Sequence, residues 1–187
     1  YHKIFACCQY GHATIEATCK LLERVSAKRI ASIHLETHKK AWIMDNPDPA
    51  TTIAAKFSIQ HIAATAAIHG GGDAEAFSSG ALRHPEVAAL RQKVTTSPYE
   101  PLPDWPNDRP TRVIWTLDDG STVAEEVLSA RGGPDLPFTP DEIRTKIRNI
   151  VHVPYPDMSA VTDAILDLDQ TTLSQSWRDT VRTMTGR

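Results

Sequence analysis

The chain has 187 residues, enough for one sizeable core or a core with an appended tail, and an ordinary composition with a formal charge of −3. The slight acid excess, and Lys and Arg scattered with no run beyond Lys39-Lys40, speak against a nucleic-acid partner. No apolar run approaches the ~20 residues of a membrane span, and three cysteines without regular spacing (Cys7, Cys8 and Cys19) suit a reducing, cytoplasmic compartment rather than a disulfide framework. The sequence begins at Tyr1 without an initiator Met and reads as a fragment, in which half of an active site is expected to be missing.

In chain order, residues 1–10 read as an extended lead-in. From 11 to 25, Ile15, Cys19, Leu22 and Val25 fall on one helical face. Between 29 and 38, Ile33, Leu35 and Thr37 alternate with Ser32, His34, Glu36 and His38, the pattern of a half-buried strand. Asn46-Pro47-Asp48-Pro49 interrupts the chain. Ser58 is placed to cap an Ala-rich helix running to about His69, which Gly70-Gly71-Gly72 ends. That helix is apolar nearly all round and predicts burial on most sides.

His84-Pro85 opens a short helix carrying Val87, Leu90 and Val94, and the proline-rich stretch 97–110 reads as a loop. Residues 112–117 and 121–128 flank Asp118-Asp119-Gly120 and predict a hairpin with Val113, Trp115 and Leu117 on one face. Arg131-Gly132-Gly133-Pro134 leads out of the sheet. Thr139-Pro140-Asp141-Glu142 is a capping box with Pro at the first helical position, ahead of a helix with Ile143, Ile147, Ile150 and Val151. Two more amphipathic helices follow, one with Met158, Val161, Ile165 and Leu168, the other with Leu173, Trp177, Val181 and Met184.

Strands and helices mix without a regular βαβ rhythm. The expected fold is therefore α+β, a two-layer sandwich with a mixed or antiparallel sheet and helices on one side. Residues 1–153 are expected to form this domain. Residues 154–187 form C-terminal helices that could belong to another, all-helical domain, with Trp177 and Met184 packed against it.

The chemistry gathers at two predicted helix starts. A helix start attracts anions because its first N–H groups lack partners and its dipole end is positive. One start follows Lys3, Cys8 and His12, and the other holds Lys56, Ser58 and His61; together they suggest a pocket for a small carboxylate. Lys3 reads either as a surface lysine or as a group that binds a carboxylate or moves a proton. Cys8 is either a small filler or a nucleophile served by His12 four residues on. His12 could equally decorate the first turn of its helix. Ser58 reads as an N-cap, and His61 is satisfied there or faces a ligand. Gly132-Gly133 could cradle an anion or turn the chain. His34 and His38 have a zinc-like spacing if helical, but the alternation puts both on a solvated strand face, so no metal is expected.

In order and spacing these segments resemble the MmgE/PrpD family, specifically its C-terminal, smaller domain. Lys3-Ile4-Phe5-Ala6-Cys7-Cys8 with His12 resembles the family's Lys-x-aromatic-Pro-x-x…His segment. Ala55-Lys56-Phe57-Ser58-Ile59-Gln60-His61 resembles its Ala-Lys/Arg-Phe-Ser-x-x-Tyr motif. The stretches Phe77…Leu82…His84-Pro85-Glu86-Val87, Asp119-Gly120 and Arg131-Gly132-Gly133-Pro134…Leu136-Pro137-Phe138-Thr139 fit in turn. The resemblance implies a lyase or isomerase such as a 2-methylcitrate dehydratase of propionate catabolism, a cis-aconitate decarboxylase or an iminodisuccinate epimerase. It implies proton chemistry on a small polycarboxylate with no metal or organic cofactor, and a homodimer. It also implies an active site in a cleft against an upstream all-helical domain of the same protein, which carries most of the acid–base residues, so that this fragment alone is inactive.

By the same resemblance Lys3 matches a lysine of that cleft and, with His61, is the catalytic candidate, while Cys8, His12, Lys56 and Ser58 bind substrate. Cys8 stands where decarboxylase-type members carry His, and His61 where Tyr is common, which points away from decarboxylation. The alternative is a non-catalytic module that binds small carboxylates or dimerises.

Overall fold

The computed structural model describes residues 2–152 and 154–186. The chain divides into two compact units, one ending at Pro137 and the other beginning at Phe138. The expected boundary at 153/154 involves Val153, which lies outside the described residues.

The first unit is built on a four-stranded sheet in the order β2-β1-β3-β4, formed by β1 (Ile30–Thr37), β2 (Val94–Pro98), β3 (Thr111–Leu117) and β4 (Thr122–Val127). β1 runs parallel to β2 and antiparallel to β3, and β3 and β4 are antiparallel. The architecture is α+β with a mixed sheet. Alternation puts Ile33, Leu35, Val113, Trp115 and Leu117 on the buried face. The opposite face is polar: Arg112 bridges Glu36 and Glu126, and Tyr99 donates to Glu126 at 2.7 Å.

Against the buried face lie α1 (His12–Leu22), packed on β3 and β4, and α4 (Ile59–His69), packed on β2; the two helices also touch each other. Shorter helices fill the connections: α2 (Lys39–Trp42), α3 (Thr52–Ala55), α5 (Ser79–Arg83) and α6 (Pro85–Arg91). Every residue of α4 from Ile59 to Ala67 is buried, as its sequence predicts. Small side chains on both helices permit close approach. At Gly11 a β-carbon would stand 2.7 Å from Cδ1 of Ile62, so a side chain there would force Ile62 to shift.

Residues 94–98, read partly as helix end and partly as loop, form strand β2. The Val87, Leu90, Val94 spacing imitates a helix, but α6 stops at Arg91 and Val94 pairs with Ile33. In α1 the expected apolar stripe is only partly buried: Ile15 is fully covered, whereas Cys19, Leu22 and Val25 pack at the margin. The fully buried positions of the helix include Ala13, Ala17, Thr14 and Thr18.

The second unit holds α7 (Pro140–Val151), α8 (Met158–Leu166), α9 (Gln170–Leu173) and α10 (Trp177–Thr185). The capping box at Thr139 is formed, with Glu142 bonding back to the Thr139 N–H at 2.8 Å. Arg144 and Arg148 of α7 pair with Asp163 of α8. The single helix expected through Leu173 and Met184 is two, because Ser176 caps a fresh start by accepting from the Asp179 N–H.

Candidate active site

The opening segment is extended, so its own backbone groups need partners elsewhere. The His2 N–H donates to Gly132 O at 2.9 Å, the Ala6 N–H to Gly72 O at 2.8 Å and the Cys8 N–H to Lys56 O at 2.9 Å. These three bonds tie the segment to the Gly132 turn, the end of the α4 region and the corner between α3 and α4. They bring Lys3 and Lys56, distant in sequence, to one place. Both ammonium charges act on the Cys7 thiol, and Lys3 Nζ also donates to Cys7 O at 3.4 Å.

The α3–α4 corner is rigid for local reasons. Thr51 caps α3 by accepting from the Ala54 N–H at 3.1 Å, and Lys56 ends that helix. Ser58 then caps α4, its hydroxyl accepting from the His61 N–H at 3.0 Å and donating to Asn46 O at 2.5 Å. Ile59 N–H is taken by Met44 O at 3.0 Å. Two of the first N–H groups of α4 are thus satisfied internally; the Ser58 cap is the one the sequence predicts, and the bond from Ile59 to Met44 O is the one it does not. The positive character of the corner comes from Lys56 and Lys3 more than from the helix start.

Electrostatics separates Cys7 from a nucleophilic role. Burial pushes the Cys7 thiol up to about 12, with the neighbouring Cys8 adding to the rise and Lys3 and Lys56 opposing it, so Cys7 is a neutral thiol at pH 7. Cys8 is half-buried and its backbone joins Lys56 and Gly11. His12, four residues on, is fully buried with its ring edge-on to Phe5 at 5.1 Å. Lys3, Cys8, Lys56 and Ser58 are therefore drawn together around the corner, with His12 behind them in the core.

His61 lies elsewhere. Its backbone belongs to the Ser58 cap, but its ring is fully buried on the inner side of α4, with Nε2 3.4 Å from Ala76 O and Nδ1 3.5 Å from Arg91 Nη1. Burial chiefly, and then the charge of Arg91, pushes its pKa down to about 4 against the opposing bond to Ala76. The ring is neutral at pH 7 and meets Ala76, Arg91 and the Phe77 ring.

The other candidates have structural occupations. Both ring nitrogens of His34 meet hydroxyls, Thr95 Oγ1 at 2.8 Å and Ser97 Oγ at 3.1 Å. His38 lies past the end of β1, caps α2 through the Lys40 N–H at 3.0 Å and stacks on Tyr10. Among the described residues no group of three or more His, Cys, Asp or Glu could hold a metal ion. Gly132 adopts φ +98°, its N–H donates to Leu136 O and its carbonyl receives His2, the geometry of a turn.

The model of the MmgE/PrpD C-terminal domain matches residues 5–170. The chain belongs to the MmgE/PrpD family. The match takes in the α3–α4 corner and most of the segment that carries Lys3, which itself lies two residues before it. MmgE/PrpD proteins include lyases and isomerases, so the lysine corner sits in an enzyme-family setting. Comparison with curated proteins returned no significant match. No helix among the described residues is long and apolar enough to cross a membrane.

Sequence reasoning missed Arg91, Gln92 and Gln60. Gln60 accepts from the Asn46 N–H at 3.0 Å and donates to Asp45, while Gln92 donates to Pro47 O at 2.9 Å. Together with Arg91 on Asp48 at 3.2 Å they hold the loop at 45–48 from two helices. Nothing local in the sequence marks Arg91 as buried; only the tertiary placement of α6 does.

Proposed function

We propose that this domain is the carboxylate-gripping half of a cofactor-independent MmgE/PrpD lyase or isomerase. The enzyme abstracts or returns a proton alpha to a carboxylate on a small di- or tricarboxylate such as 2-methylcitrate. Dehydration or epimerisation is favoured over decarboxylation, because Cys8 stands where decarboxylase-type members carry His, and His61 where Tyr is common in the family. The observation that carries the reading is the meeting of the Lys3 segment with the α3–α4 corner, where Lys3 Nζ donates to Cys7 O and the Cys8 N–H donates to Lys56 O.

The physical logic is electrostatic. A proton alpha to a carboxylate is weakly acidic, and its removal builds enolate-like charge that fixed positive groups stabilise. Lys3, an exposed lysine on a tethered segment, grips a substrate carboxylate and meets that charge. Lys56 and the Ser58 corner bind a second carboxylate. His61 contributes by holding the corner from behind rather than by touching substrate. The main acid and base come from the family's all-helical domain of the same protein, and the working enzyme is a homodimer; the present domain by itself is inactive.

Titration of the full-length protein with 2-methylcitrate, citrate and succinate, followed through backbone amide shifts, tests the site. Shifts concentrated at 3–8 and 55–58 and abolished by Lys3→Ala are expected. Shifts confined to other elements, or none with any acid, would contradict the reading. Binding at the corner without turnover by the full-length protein would favour the non-catalytic module.

A further inference from the structure

Arg91 closes α6 almost fully buried, yet its carboxylate partner, Asp48, is largely exposed. A charged group is rarely buried for a surface ion pair, since such pairs contribute little. What the burial achieves is a fixed set of donors: Nη1 to Leu82 O at 3.0 Å and toward His61 Nδ1 at 3.5 Å, and Nη2 to Asp48 at 3.2 Å.

The two polar groups that meet the His61 ring, Ala76 O and the Arg91 guanidinium, each have only one hydrogen-bonding role. A guanidinium has donors and no acceptor, so a proton on Nδ1 would point at another N–H. The Ala76 carbonyl accepts only, and already receives Thr65 Oγ1 at 2.9 Å, so a bare Nε2 would face a lone pair. One arrangement satisfies both sides: Nδ1 bare, Nε2 protonated. A doubly protonated ring would again set a proton against Arg91, and His69 on the same helix adds to the repulsion.

We propose that Arg91 is a positioning residue that holds His61 in the single tautomer with its proton on Nε2 and thereby locks the α3–α4 corner under Lys56. The lock is continuous. Arg91 and Gln92 grip Asp48 and Pro47, Ser58 and Gln60 grip Asn46 from α4, and the His61 ring joins α4 to both Arg91 and Ala76. Lys56 and Phe57 are the two residues between α3 and the Ser58 cap, so their placement depends on that lock. The last step rests on the proposed carboxylate-binding role of the corner; the tautomer does not.

The test is long-range ¹H–¹⁵N correlation of the His61 ring in the full-length protein, with Arg91→Lys and Arg91→Met beside it. The wild type is expected to show a bare Nδ1 and a protonated Nε2. In Arg91→Met, where Ala76 alone still holds the ring, a minor tautomer protonated on Nδ1 is expected to appear and the protonation midpoint to rise by about one unit, since a like charge has been removed. Arg91→Lys keeps the charge but not the fork, so mixed tautomers with little change in midpoint are expected. A proton on Nδ1 in the wild type would overturn the proposal, even if neither variant folds. So would an unchanged ring in both variants.

Turnover of 2-methylcitrate separates positioning from general damage. Arg91→Lys is expected to raise KM about tenfold with kcat held within about twofold, the signature of lost binding geometry. A lower kcat at unchanged KM would contradict the link to Lys56. Absence of wild-type turnover with 2-methylcitrate and with every other di- and tricarboxylate offered would sink the proposed function and leave the tautomer result standing.

Discussion

The two sides of the α3–α4 corner use charge in opposite ways. On the outer side, Lys3 is exposed on a segment tethered by backbone bonds, and it meets Lys56 at a neutral thiol. On the inner side, Arg91 and His61 are buried and engaged by single-role partners. A charge meant for a ligand must remain reachable by it; a charge meant to hold a fold is better surrounded. The comparison therefore separates residues whose loss should damage chemistry from residues whose loss should damage stability, although the two sets are neighbours in sequence.

The largest effect is expected on the outer side. Lys3→Ala should lower proton chemistry by about 10²-fold or more, the scale seen when one fixed charge-stabilising group is removed, while the melting temperature stays within a degree or so. A large loss of stability would break the comparison. The inner side should instead answer to pH. His61 has a folded pKa near 4 against 6.5 when unfolded, so the unfolded chain binds the extra proton first. This contribution, on the order of 2–3 kcal/mol, is complete above pH 6.5 and is lost as pH falls from 6.5 toward 4. Urea unfolding across that window should show the slope, and His61→Gln should flatten it.

Smaller effects sharpen the boundary between the two sides. Gly11→Ala forces a β-carbon against the buried Ile62 and should cost about 1–3 kcal/mol, read as a lower urea midpoint at constant m. Ser58→Ala removes both a cap and the bond to Asn46 and should cost about 1–2 kcal/mol. Because Ser58 lies between the two sides, it should also raise KM modestly, unlike Gly11→Ala.

The elements legible from sequence were those whose signal is local. β1 and the β3–β4 hairpin follow from period-two alternation and Asp-Gly chemistry, and Gly120 adopts the positive φ that the turn requires. α4 and α7 follow from their caps at Ser58 and Thr139. β2 was hidden because Thr95, Thr96 and Ser97 carry no apolar alternation; an edge strand takes its definition from its partner, here β1. Of the site, the lysine corner was legible through its motifs. The burial of the His61 ring was not, because a histidine at N3 can face either way and only the placement of α6 and Ala76 decides.

The most direct test of the account is deuterium exchange alpha to a carboxylate. The full-length protein is offered 2-methylcitrate and related di- and tricarboxylates in D₂O and followed by NMR, with Lys3→Ala alongside. Incorporation into one of these acids that disappears in the variant is the predicted result. No incorporation into any acid, or incorporation that Lys3→Ala leaves unchanged, would contradict the assignment of the lysine corner to proton chemistry.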